Sequence, residues 1–248
     1  MEFEKLTMKK EKILRNLKNT HIRENEDIPI IDFLNKLDKS IEYKLLEVGS
    51  GLCRFVDKIS INYPNISITC LEINPDLADL AKNKGFSVIN ENILYNTLKS
   101  NEYDIVHCSH VIEHFSYPDV IKLIDELIRV TKIKSYLIIR SPLMSDFFYN
   151  DIDHIRPYPP HAIINYLNNE EQQIKGSNKI EIIGRWNRTA PKQYELIDRS
   201  SYLYIVPFRK FLNKKIEWLN KRLEIFWNKY RYPASKPTGY VLILKKIS

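Results

Sequence analysis

Leu45-Leu46-Glu47-Val48-Gly49-Ser50-Gly51-Leu52 carries an apolar strand to an acidic residue and straight into a glycine turn. A second apolar stretch, Ile66-Ser67-Ile68-Thr69-Cys70-Leu71, ends in Glu72. The distance from Glu47 to Glu72 fits one strand–helix–strand unit, which needs about 30 residues. Two carboxylates at the ends of neighbouring parallel strands, beside a glycine turn, make a nucleoside-binding edge. Gly49 and Gly51 tolerate positive φ and a close ligand, because no Cβ intervenes. Glu72 is placed to accept hydrogen bonds from ribose hydroxyls. The dinucleotide fingerprint needs a third glycine where this chain has Arg54, which argues against NAD and FAD.

Outward from that turn the pattern alternates. Strands are expected at about 43–48, 66–72, 86–90, 103–108, 134–141, 179–185 and from Gly239 to Lys245, with helical segments between the early ones. Tyr103-Asp104-Ile105-Val106-His107 and Ser135-Tyr136-Leu137-Ile138-Ile139 are apolar on both faces, as in a parallel sheet covered by helices. Residues 3–19 and 28–39 read as helices ahead of the core, the second presenting Ile30, Ile31, Phe33, Leu34 and Leu37, and a later helix covers 160–168. The expected fold is therefore α/β: a doubly wound, mostly parallel, seven-stranded Rossmann-like sheet. Its organisation is N-terminal helices over 1–40, a core over 41–189, a basic helical insertion over 190–238 and a last strand over 239–248. Right-handed crossovers put Glu47, Glu72 and the strand end near Cys108 on one carboxyl edge.

Composition narrows the setting. At 248 residues the chain can bury a substantial core. No apolar run reaches the ~18–20 residues that span a bilayer, and the N-terminus lacks the apolar core of a signal peptide, so a cytoplasmic protein is expected. Cys53, Cys70 and Cys108 are widely spaced, which fits free buried thiols better than a zinc site or a disulfide framework. From Arg209 to Arg231 there are eight Lys/Arg and two Glu, a net of +6 against +7 for the whole chain. Phe208, Leu212, Ile216, Leu219, Leu223, Phe226 and Tyr230 recur there at helical spacing. Such a helix either packs on the sheet with a solvated basic face or meets an anionic membrane surface at the inner face of the membrane, a nucleic acid or a polyanion.

Several stretches in register resemble a known family. Leu46-Glu47-Val48-Gly49-Ser50-Gly51 resembles motif I of class I S-adenosylmethionine-dependent methyltransferases, and Leu71-Glu72-Ile73-Asn74-Pro75 their ribose-binding strand end. Tyr103 to Phe115, followed by Glu126-Leu127-Ile128-Arg129-Val130 and Arg140-Ser141-Pro142, is similar to the ubiquinone-type small-molecule branch (methyltransferase types 11 and 12). The resemblance covers about residues 42–145 and implies S-adenosylmethionine as cofactor. It implies that Glu47 orients the loop and the methionine amino group, and that Gly49, Ser50 and Gly51 pass beneath the methionine. Glu72 would hold the ribose, Ile73 would pack on the adenine, and Ile93 and Ser109 would complete the cofactor contacts. Asn92 stands where the family usually has an Asp that reads the adenine amino group, and its oxygen can accept the same bond. Cys53 stands where a third family glycine is common.

The chemistry implied is in-line displacement at a sulfonium carbon, which asks the protein to align a nucleophile and strip its water. His110, Glu113 and His114 are spaced i, i+3, i+4 and share a face if the segment is helical. Three roles stand open: His110 or His114 as general base, the set as a divalent-metal site, or a structural turn. Metal-assisted relatives in the ubiquinone and small-RNA 2′-O-methyltransferase branches carry E-x-x-E-H here, whereas this chain has His110 first, so no metal is assigned. Asp153 to His161 follows, where relatives often place a His-x-Arg segment; it either touches the acceptor through His154, with Arg156 and Tyr158 binding an anionic substrate, or is a proline-rich turn.

The expected activity is methylation of a small or carrier-linked acceptor, at a hydroxyl oxygen, in surface-glycan or lipid-linked intermediate biosynthesis. Metal-assisted 2′-O-methylation of RNA and a non-catalytic cofactor-binding scaffold with a basic membrane-surface helix are the alternatives.

Overall fold

The computed structural model describes residues 21–22, 25–145, 148–168, 180–189, 211–219, 222 and 237–248. Eight strands are numbered in chain order: β1 (His21–Ile22), β2 (Tyr43–Val48), β3 (Ile66–Leu71), β4 (Ser87–Ile89), β5 (Tyr103–Ser109), β6 (Thr131–Pro142), β7 (Ile180–Arg188) and β8 (Gly239–Lys246). The helices are α1 (Asp27–Leu34), α2 (Arg54–Asn62), α3 (Pro75–Asn83), α4 (Asp119–Val130) and α5 (Pro160–Asn168). The strands form one sheet in the order β1-β7-β8-β6-β5-β2-β3-β4, parallel except where β8 runs antiparallel between β6 and β7. Seven of these are the expected strands; the two-residue β1 adds an edge beside β7. The chain winds outward from β2 through β3 to β4, then returns to place β5 on the other side of β2. That reversal opens a crevice at the carboxyl ends of β2 and β5.

Period-two alternation divides the core. Leu46, Val48, Val106, Cys108, Leu137 and Ile139 face α4 and α5 in one cluster. Leu45, Ile105, Ile138, Val241 and Ile243 face α1 and α2 in the other. On α4, Val120, Leu123, Ile124, Leu127 and Ile128 recur at i, i+3, i+4 spacing, and all five are buried. Each such side chain contributes roughly 1.5–3 kcal/mol on leaving water.

Local departures from expectation have local causes. Helix α1 stops at Leu34 rather than running on to 39, because Lys36 N–H donates to Phe33 O and Leu37 N–H to Leu34 O in tighter turns. β6 begins at Thr131, since Thr131 pairs with Tyr103 before a bulge resumes the ladder at Ile105 and Tyr136. Residues 3–19 lie outside the described residues, as does most of 208–231, where the described helical stretch is 211–219. The chain divides into two compact units, Met1–Arg188 with Pro237–Ser248, and Thr189–Lys236. Among the described residues no helix is long and apolar enough to cross a membrane. Cys53, Cys70 and Cys108 are free and buried.

Candidate functional site

The glycine turn after β2 is built for close approach. Gly49 has φ of +74°, and a Cβ there would lie 2.6 Å from the Val111 side chain, so only glycine fits. Gly51 also has positive φ, with open space where a Cβ would stand. Cys53, where the resemblance leads one to expect glycine, takes the left-handed conformation (φ 63°) that favours glycine, and its thiol is fully buried. Glu72 ties the turn to the next strand: one carboxylate oxygen accepts from Gly51 N–H at 2.9 Å and lies 3.5 Å from Ser50 Oγ. Its other oxygen accepts from Asn74 N–H at 3.1 Å. Asn74 in turn caps α3, accepting from Asp76 N–H and Leu77 N–H.

Two cavities meet at Gly49. The smaller, about 370 Å³, is lined by Val48, Leu71, Glu72, Ile73, Glu91, Asn92, Ile93, Val111, His114 and Phe115. It is an apolar slot with a carboxylate at its wall, the chemistry a nucleoside needs. Asn92 Oδ1 accepts from Leu94 N–H at 2.9 Å and keeps a second lone pair. The larger, about 730 Å³, is lined by ionisable groups: Asp27, Glu47, Arg54, Lys58, His110 and Arg140, with Ser50, Phe55 and Ser109. All of the cofactor-contact residues read from the sequence thus line one cavity or the other, except Gly51, which reaches the site through its bond to Glu72. The residues present fit S-adenosylmethionine, with the nucleoside in the smaller cavity and the methionine end toward Glu47.

The histidines do not share a helical face. Only Ile112–His114 forms a short 3-10 turn, and His110 precedes it in left-handed conformation, so the side chains diverge. His110 Nδ1 lies 3.2 Å from Glu113 Oε1 and Nε2 3.0 Å from Glu26 Oε2. Both ring nitrogens face carboxylates, so both carry hydrogens. Burial pulls against the charge, but the bonds to Glu113 and Glu26 prevail and hold the His110 pKa up at about 9. That imidazolium cannot accept a proton near neutral pH, which leaves the base role to His114.

His114 Nδ1 donates to Asp153 O at 3.1 Å and His154 Nδ1 to Phe148 O at 2.7 Å. In its neutral form the His114 ring therefore offers a bare Nε2, whereas His154 Nε2 lies 3.7 Å from Asp151 Oδ2. Glu113, His114 and His154 bring ligand atoms within 4.8 Å of one another. Among the described residues the set close enough to share an ion therefore has His154 where the sequence suggested His110, whose two ring nitrogens face Glu113 and Glu26. Histidines whose second nitrogen is held by a backbone carbonyl are oriented as metal ligands usually are. Arg156 and Tyr158 line neither cavity. The Arg156 guanidinium lies 5.6 Å from the Tyr158 ring centre, and the Tyr158 hydroxyl donates to Phe115 O at 2.8 Å.

A buried polar chain escaped the sequence reading. Arg140 Nε donates to His107 Nε2 at 3.0 Å, and His107 Nδ1 lies 2.6 Å from Glu47 Oε2. Arg140 also donates to Asp27 Oδ1 at 2.6 Å, and Asp27 pairs with Lys58. Burial, then the Arg140 charge, pushes the His107 pKa well down; burial pushes that of Glu47 well up. Burial also acts to raise Asp27, but Lys58 and Arg140 hold it below the usual carboxylate range. The signal was present: Glu47, His107 and Arg140 follow Leu45, Ile105 and Ile138 by two residues, so all three belong to one sheet face.

Comparison with known proteins agrees with this geometry. Residues 46–139 match the methyltransferase domain family. That stretch is similar to a methyltransferase domain. An uncharacterized protein of Methanocaldococcus jannaschii is 28% identical over 144 residues, an alignment covering 56% of this chain and 59% of that protein. The chain therefore matches little more than half the length of that curated relative. A SAM-dependent methyltransferase from Archaeoglobus fulgidus has a similar fold, with a TM-score of 0.55 at 22% identity, over 94% of this chain and 99% of the other. The cyclase SpnF is also similar in fold, with a TM-score of 0.52 at 14% identity, over 88% of this chain and 80% of its own. Fold likeness at these identities establishes the architecture alone and leaves the reaction to the site.

Proposed function

We propose that this protein transfers a methyl group from S-adenosylmethionine to a hydroxyl oxygen of a small or carrier-linked acceptor. The carrying observation is the pair of cavities joined at Gly49, one apolar with Glu72 and one polar with Glu47. Bound S-adenosylmethionine supplies a methyl group on a sulfonium that is already a good leaving group. Glu72 holds the ribose side and fixes the loop, while Val111 and Phe115 wall the site from water. His114, 30% exposed with its Nδ1 engaged, takes the acceptor proton through Nε2. An acceptor with anionic character, as surface-glycan or lipid-linked intermediates have, would set its charge against Arg54, Lys58 and protonated His110 and its hydroxyl near Gly49, where the larger cavity meets the one that His114 lines.

A metal-assisted version is favoured by one observation, the grouping of Glu113, His114 and His154. There the same side chains would hold a divalent ion that lowers the pKa of the acceptor hydroxyl. We also propose the basic 208–231 segment as a contact for anionic membrane surface. In its described part Lys215 lies 4.8 Å over Phe211 and Arg222 5.3 Å over Trp218, an interfacial pairing of cation and aromatic.

The test is incubation of the protein with methyl-labelled S-adenosylmethionine and a small-molecule extract of its own cells. Label should enter an acid-stable, non-protein product, and His114→Ala should cut turnover by roughly 100-fold or more. No labelled product from wild type would defeat the catalytic reading. Chelator treatment that abolishes turnover, restored by added divalent ion, would select the metal-assisted version.

A further inference from the structure

We propose that His107 and Arg140 are positioning residues that fix Glu47 to hold the methionine ammonium group of the cofactor, a role resting on the cofactor reading above. The parallel register sets His107 directly beside Glu47 on adjacent strands. His107 is fully buried, and its ring packs against Phe55 with centroids 4.2 Å apart. The Arg140 guanidinium lies 4.7 Å from the centre of the same Phe55 ring.

The hydrogen-bond sense is determined by Arg140, which can only donate. Its Nε–H occupies His107 Nε2, so the single hydrogen of the neutral imidazole sits on Nδ1 and is donated to Glu47 Oε2. One oxygen of Glu47 is thereby committed. Among the described residues no hydrogen bond uses Oε1, and Glu47 lines the larger cavity while only 3% exposed. A carboxylate in that state costs free energy to bury without a cation. An arriving ammonium supplies one, and the neutral histidine lets it do so without competing as a charge. Asp27 balances Arg140 from α1, so the guanidinium is not free to take Glu47 for itself.

A merely structural chain would make a different prediction from a positioning one. S-adenosylhomocysteine carries the amino-acid end, and 5′-methylthioadenosine has the same nucleoside and thioether without it. Titration calorimetry of both ligands against wild type, His107→Phe and His107→Asn separates the roles. His107→Phe keeps the ring packing and loses the bond; S-adenosylhomocysteine should weaken about 10- to 100-fold, the worth of one bond to a charged group. Binding of 5′-methylthioadenosine should stay within about threefold, a difference under 1 kcal/mol. His107→Asn, which keeps a donor where Nδ1 stands, should recover part of the loss. Equal weakening of both ligands, or of neither, overturns the proposal. Should His107→Phe fail to fold, Arg140→Gln replaces it with the same expected split and the same overturning results. Wild type that binds neither ligand would overturn the cofactor reading itself, and this proposal with it.

Discussion

His110 illustrates how a side chain's neighbours decide what it can do. Held between Glu26 and Glu113, it is stabilised as imidazolium, with its pKa raised from about 6.5 to about 9. A histidine raised in the folded state contributes stability that is fully present below the unfolded pKa and is lost as pH rises through the folded one. Thermal stability should therefore decline between about pH 6.5 and 9, and His110→Asn should remove that part of the slope. With the ring 40% exposed, solvent screening reduces the contribution to on the order of 1 kcal/mol. Melting curves of both proteins across that range check it; identical slopes would show that the ion pairs do not bind the proton. Glu113 completes the same cluster from a fully buried position, accepting from Ser141 Oγ at 3.2 Å while its backbone oxygen accepts from Ile155 and Arg156 N–H.

At the scale of elements, the described part of the basic segment includes the helical stretch 211–219, with Ile216 buried and Phe211 and Trp218 exposed. Near an anionic surface each Lys or Arg is worth about 1 kcal/mol, falling off within a Debye length. The protein should pellet with vesicles containing phosphatidylserine and remain in the supernatant with neutral phosphatidylcholine or at high salt. Equal sedimentation with both lipids would remove the membrane contact. The core strands and the helix α5 were legible in the sequence, because alternation and helical spacing are local properties. Strand ends at bulges were not: Thr131 joins β6 only through its pairing with Tyr103. The glycine turn was legible for the same local reason, since Gly49, Gly51 and Glu72 are bound to each other by one crossover.

Across the whole molecule, what sequence could not supply was register between distant strands and the arrival of α1. Glu47, His107 and Arg140 are each conspicuous inside apolar strands, yet their union depends on β2 lying beside β5 and β5 beside β6. Glu26 and Asp27 were invisible as site residues because nothing local ties them to a sheet edge far along the chain. The metal-capable set shifted from His110 to His154 for a similar reason, a loop after β6 folding back onto the turn after β5. The cradle itself rests on Glu72, which anchors Gly51 and faces the smaller cavity. Calorimetric titration of wild type and Glu72→Ala with S-adenosylhomocysteine is the most direct test. Wild type should bind at one site, with a loss of about 10-fold or more in Glu72→Ala, as the ribose loses its charged acceptor. Absence of binding by wild type, or equal affinity in the variant, would contradict that role of Glu72.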